Sequence, residues 1–202
     1  MPCCFTMASK IIAIEHLTLD GVFQGPASAE EDTRNGFKLG GWSAAGDDPK
    51  MREAIGKYMS RGWSLLAGTR TYEDLYRAWP ISRPDDPMTA ALTKPEKCVV
   101  SSNSAYQLPW ANSTLLAGEA AETVARLKKE HDKTLVIFGS GELVRALLKA
   151  GLIDELLLIV HPIVLGEGLR LFDQGTAYTT LKLNAQEMTE TGVTIATYQV
   201  KT

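Results

Sequence analysis

Five apolar runs divide the chain: Lys10–Leu17, Ser64–Ala67, Lys97–Ser101, Thr134–Phe138 and Glu155–Val164. They show little polar alternation, the pattern of strands covered on both faces in a parallel sheet. Between them, apolar residues recur at helical spacing. Met51, Ala54, Ile55, Tyr58 and Met59 share one face, as do Val124, Leu127 and Lys128 within Ala120–His131. Leu143, Leu147 and Leu148 form a third such face, and Gly151 is placed to end that helix. The last stretch, TLKLNAQEMTETGVTIATYQV, alternates better and turns at Thr191-Gly192, which predicts an antiparallel hairpin at one side of the sheet. The pattern is α/β: a mostly parallel sheet with helices on both faces. Residues 10–202 read as one domain and residues 1–9 as a disordered extension.

Two long segments interrupt the order. Gly21 to Asp48 mixes Gly36, Gly40, Gly41 and Gly46 with Phe37 and Trp42, which predicts an ordered lid. Trp79 to Pro95 is rich in proline and aspartate and reads as a surface excursion. Composition narrows the function classes. With 202 residues, 45% of them hydrophobic, the chain can bury one sizeable core. A formal net charge of −3 with interspersed signs gives no electrostatic footprint for nucleic acid or an anionic membrane. The start MPCCFTMASK lacks an apolar signal core, so a cytoplasmic location is the simple expectation. Cys3, Cys4 and Cys98 offer neither a C-x-x-C pair nor a disulfide framework, so no metal site is expected.

The predicted strands run into small or hydroxyl residues. TLDGVFQGP (Thr18–Pro26) follows the first, GTRTYEDL (Gly68–Leu75) the second, SSNS (Ser101–Ser104) the third, and FGSGEL follows Thr134–Phe138. Carboxyl ends of parallel strands share one edge, where ligands of open α/β sheets bind. Glycine permits close backbone approach, and N–H groups at helix starts favour a phosphate. In GTRTYE, Thr71 is the expected helix N-cap and Arg70 a cation beside it. Gly139-Ser140-Gly141 is an incomplete dinucleotide fingerprint, because Val144 occupies the place of its third glycine.

Together these motifs, with AGLIDELLLIVHPIVLGEGLRLF (Ala150–Phe172), resemble the dihydrofolate reductase-like fold, and within it stand-alone relatives of the reductase domain of riboflavin biosynthesis. The resemblance spans about Lys10 to Val200. The zinc deaminase half of the bifunctional riboflavin enzyme has no counterpart, for H-x-E with P-C-x-x-C is missing. The resemblance implies a three-layer fold, a homodimer, a small-molecule substrate and NADPH, with NADH as the other possibility. It places Gly68, Thr69, Arg70, Thr71, Ser101 and Ser102 around the adenosine ribose and phosphates. Gly139, Ser140, Gly141, Glu142 and Leu143 would follow the pyrophosphate, with a cis peptide expected at Gly139–Ser140. Two departures stand out. Thr69 replaces the family's basic residue, and Glu142 stands where dihydrofolate reductases often carry arginine.

The implied reaction is hydride transfer to a pterin-like or pyrimidine-like heterocycle, the cofactor carrying the chemistry and the protein aligning the two rings. Asp20, Phe23, Phe37 and Trp42 are the expected pocket walls. Asp47, Asp48 and His161 are the catalytic candidates. Each has a structural alternative: the two aspartates suit a helix start, Asp20 suits an Asx-turn, and a strand histidine such as His16 or His161 suits a pocket wall. Two other classes fit the same residues: a non-catalytic nucleotide- or ligand-binding protein, and an interaction module whose glycine turns are only structural.

Overall fold

A computed structural model describes residues 9–60 and 62–201, and the expected extension over residues 1–8 lies outside them. Ser9, also assigned to that extension, is buried and hydrogen-bonds through its backbone N and Oγ to the Lys128 carbonyl.

β1 (Ile11–Thr18) is buried along nearly its whole length and lies between two parallel neighbours, β5 (Thr134–Phe138) and β6 (Glu155–His161). On the β5 side follow β2 (Trp63–Gly68), β3 (Lys97–Ser101) and an edge strand, β4 (Ser113–Ala117), all parallel. On the β6 side the chain closes with β8 (Thr194–Lys201) and β7 (Thr180–Met188), both antiparallel pairings. The order is β4-β3-β2-β5-β1-β6-β8-β7. The expected hairpin therefore forms, and it continues the sheet from β6.

Period-two alternation along β1 divides the core in two. Ile11, Ala13 and Leu17 pack with Val124 of α4 (Ala120–Glu130) and with Leu143, Val144 and Leu147 of α5 (Gly141–Lys149). Ile12 and Ile14 pack on the opposite side with Met51 and Ala54 of α1 (Pro49–Met59) and Tyr72 of α2 (Thr69–Tyr76). The helical faces read from sequence are the faces that are buried, and Gly151 follows α5 in a left-handed conformation.

Two expectations change. Trp79 to Pro95 is not an irregular excursion: a π turn (Arg77–Ile81) and α3 (Pro87–Thr93) occupy it, capped by Asp86 and buried at Thr89 and Leu92. Proline at the first turn favours a helix there, since its missing N–H has no intrahelical partner anyway. The last predicted strand ends at His161, because Pro162 cannot donate to a ladder. Gly21 to Asp48 is ordered as expected, held by its own bonds. The Gln24 amide donates to the carbonyls of Asp32 and Arg34, and Gly41 N donates to the Gly25 carbonyl.

Candidate functional site

β2 and β5 are neighbours, so the helices that follow them begin side by side at the carboxyl edge. α2 starts at Thr69 with Gly68 as N-cap, and α5 starts at Gly141 with Ser140 as N-cap. Neither N-terminus has a side-chain cap. Thr71 is thus inside α2 rather than at its N-cap. Gly68 itself ends the strand in an extended conformation, and its backbone N donates to Ser140 Oγ at 3.2 Å. The first N–H groups of both helices are left without intrahelical acceptors, which is the arrangement that binds phosphate oxygens. Arg70 is exposed in the first turn of α2. Ser101 ends β3, where its hydroxyl accepts from Asn103 N, and Ser102 is exposed beside it.

The turn after β5 reverses direction without a cis bond. No cis peptide occurs among the described residues; the expected one at Gly139–Ser140 is replaced by two successive left-handed residues, with φ of 64° and 67°. Glycine adopts that conformation freely and serine does so at some cost. Gly141 then packs against Phe23, whose ring would lie 2.7 Å from any added Cβ. Leu143 is buried below it and Glu142 faces out.

Sequence reasoning missed Arg34. From the lid, its Nη1 donates to Glu142 Oε2 at 2.7 Å while Nη2 holds Asp32 at 2.6 Å. A cation therefore stands at the start of α5, supplied by the loop rather than by the motif, and Glu142 is paired with it. Distance in sequence hid this contact, since 108 residues separate the two.

On the other side of β1, in the same layer as α1, His16 Nδ1 lies 3.0 Å from His161 Nε2. Trp42 meets the His161 ring edge-on at a centroid distance of 5.3 Å, and its Nε1 donates to the Gln24 carbonyl at 2.8 Å. Burial, then the neighbouring His161, lowers the His16 pKa to about 4; burial lowers that of His161 too. The structure brings these three together and leaves the other expected pocket residues apart. Asp48 caps α1 by accepting from Lys50 N at 2.8 Å, and Asp47 is exposed and paired with Arg52. Asp20 takes a 2.6 Å bond from Thr18, bonds from Leu165 and Gly166 N, and an ion pair with Arg170 at 3.0 Å. These bonds, led by that from Thr18, hold its carboxyl well below the usual range. Phe23 and Phe37 are buried, the latter against Gly25 and Gly168. Among the described residues no cluster of three His, Cys, Asp or Glu side chains is placed to hold a metal.

The sequence matches the RibD C-terminal domain family over residues 9–196. Bacillus subtilis YyaP is 27% identical over 194 residues, covering 94% of each chain. Bacillus subtilis YwjB is 31% identical over 120 residues, which span 59% of this chain and 64% of YwjB. Both relatives are described as uncharacterized. Among solved structures, a putative riboflavin biosynthesis protein from Shewanella sp. PV-4 superposes with a TM-score of 0.70 at 20% identity, over 96% of this chain and 99% of that one. The deaminase/reductase of Thermotoga maritima gives 0.65 at 13% identity, over 96% of this chain and 57% of its own. Dihydrofolate reductase of Enterococcus faecalis, complexed with NADP(H), gives 0.59 at 14% identity, over 96% and 97%. At these identities the structures share the fold.

Proposed function

This chain belongs to the RibD C-terminal domain family, and from that premise we propose that it is a reductase transferring a hydride from NADPH to a small pterin- or pyrimidine-like heterocycle. The carrying observation is the pair of uncapped helix starts on adjacent strands, joined by the bond from Gly68 N to Ser140 Oγ. Two sets of free backbone donors at one edge suit the phosphates of a dinucleotide, and the open space beside Gly139 leaves the backbone approachable. The residues present fit the cofactor in this respect.

In this reading the first turns of α2 and α5 bind the phosphates through backbone N–H groups. Arg70 in the first turn of α2 and Ser101 and Ser102 at the end of β3 are assigned to the ribose and its 2′-phosphate, and that assignment is the reason to prefer NADPH over NADH. When bound, the reduced nicotinamide supplies the hydride. Trp42, His16 and His161 wall the acceptor side. Leu183 and Met188 are exposed on β7, an outer strand of the sheet, which supports the expected homodimer.

Titration of the protein with NADPH and NADH, followed by tryptophan fluorescence, tests this reading. Saturable quenching with tighter binding of NADPH is expected. Failure of both nucleotides to bind at about millimolar concentration, a level weaker than ordinary cofactor sites require, would remove it.

A further inference from the structure

We propose that the paired imidazoles of His16 and His161 are the element that recognises the substrate: His16 presents its outer nitrogen, Nε2, to the polar edge of the heterocycle, and His161 sets whether that nitrogen donates or accepts. The proposal rests on the reductase reading and adds to it the groups that read the acceptor.

Geometry brings the pair together from two adjacent strands. His16 of β1 and His161 of β6 lie two residues apart in register, since Thr18 is opposite His161 and His16 is opposite Ile159. Ile12 and Ile14 of β1 and Leu157 and Ile159 of β6 belong to the core on the α1 side, so alternation places both rings there. The 3.0 Å separation between His16 Nδ1 and His161 Nε2 requires one proton between them. Burial disfavours charge on both rings.

A neutral pair with a single shared proton has only two arrangements. If His161 Nε2–H donates to His16 Nδ1, the His16 proton sits on Nε2 and the outer nitrogen is a donor. If His16 Nδ1–H donates to His161 Nε2, the outer nitrogen is bare and accepts. One position in the wall can therefore meet either a C=O or an N–H. Pterins and pyrimidines carry both groups along one edge, which is the chemistry such a contact suits.

The surroundings fix His161 and leave His16 reachable. His161 is 2% exposed, whereas His16 is half-buried. The Trp42 ring stands edge-on to His161, and a Cβ at Gly46 would lie 2.6 Å from His161 Nδ1 and 2.8 Å from Val193 Cγ2. Only glycine fits at that point of the lid. Among the described residues the rings bond only to each other, yet the sole sealed and unpartnered side-chain N or O atom is Glu15 Oε1. His16, the more exposed of the two rings, is therefore the one a ligand can reach. The carboxylates expected at the pocket are engaged elsewhere, Asp47 with Arg52, Asp48 with the start of α1, and Asp20 with Arg170. Two apolar side chains of similar size would fill the same wall without the cost of desolvating two imidazoles.

The test uses the full chain labelled with 15N in histidine and saturated with NADPH. Long-range 1H–15N spectra assign the tautomer of each ring before and after addition of 7,8-dihydrobiopterin or uracil as probes. The expected result is a saturable shift of His16 Nε2 with at least one probe and a matching change at His161. His16→Phe should weaken binding of that probe about tenfold, the loss of one well-made hydrogen bond, while NADPH affinity is unchanged. A His16 Nε2 resonance that neither probe moves, in protein that binds NADPH, overturns the proposal. So does probe binding that survives His16→Phe undiminished. If NADPH does not bind, the reductase reading falls instead, and the same probe titration of the free protein decides the histidine pair alone.

Discussion

Replacing Glu15 by glutamine should remove a pH-dependent cost from the fold. Glu15 sits within β1, 1% exposed and with Oε1 unpartnered, and burial pushes its pKa up to about 8 from an ordinary value of 4.5. Between those two values the native chain holds a proton that the unfolded chain has released. Stability therefore falls as pH rises, by about 1.4 kcal/mol per pH unit. The contribution is intact below the unfolded pKa and is gone once pH passes the folded one. Over the window the loss comes to roughly 3–5 kcal/mol, a large part of the ~5–15 kcal/mol that holds a typical domain. His16 acts in the opposite sense, because its pKa is lowered from 6.5 to about 4, so stability is lost as pH falls through that interval. That effect is common to wild type and variant and cancels in their difference. Urea unfolding of both proteins across the interval is the assay. The stability difference between Glu15→Gln and wild type should grow steadily in favour of glutamine with rising pH and level off above pH 8 or so. Two curves that run parallel throughout would refute the reasoning, since they would mean that Glu15 titrates alike in both states.

The remaining predictions concern the start of α5 and the β3 side of the core. Glu142→Gln should tighten NADPH binding about threefold, since a carboxylate roughly 6 Å from a phosphate in a water-like dielectric costs about 0.7 kcal/mol; the Glu142 side chain is 63% exposed, so no larger effect is expected. Fluorescence titration reads it, and unchanged or weaker binding would show that Glu142 does not face the phosphate. Lys97 is fully buried, bonded through Nζ to the carbonyls of Leu92, Thr93 and Pro95 and set 4.7 Å from the Trp110 ring centroid. Lys97→Met strands those carbonyls and should cost about 2–4 kcal/mol in urea unfolding; a loss within experimental error would mean that water replaces the amine.

The parts of this fold that were legible in the sequence are those governed by local period. The run Lys97–Ser101 is β3 and Thr134–Phe138 is β5, because continuous apolar runs of that length bounded by glycine or charge have few other uses. β4 was not legible: STLLA is only partly buried at the sheet edge, and it resembles any short mixed segment. The π turn and α3 hid behind Pro80 and Pro87, which read as breakers although Pro87 begins a helix. At the site, the strand-end glycines and Ser140 were visible as motifs. Arg34 and the pairing of His16 with His161 were not, since a motif records neighbours in sequence, and these contacts span 108 and 145 residues. Asp48 was visible as a carboxylate, and its use as a helix cap is what its position before Pro49 favours.

β1 is the element that makes the two halves of the proposed site one. Gly139 N donates to the Ile14 carbonyl at 3.0 Å, so the turn after β5 is fastened to β1 two residues before His16. A ligand reaching from the α2 and α5 starts to the histidine pair must therefore cross the end of this strand. The lid touches both sides of that crossing, through Arg34 on Glu142 and through Trp42 on His161. Its two anchors are tied to each other as well: the buried Gln24 amide holds the Arg34 carbonyl, and the Gln24 carbonyl accepts from Trp42 Nε1. In the proposed reading, the segment between Gly21 and Asp48 therefore borders both the phosphate side and the acceptor wall, and Gln24 joins the two contacts, its side chain bonded to Arg34 and its backbone carbonyl to Trp42.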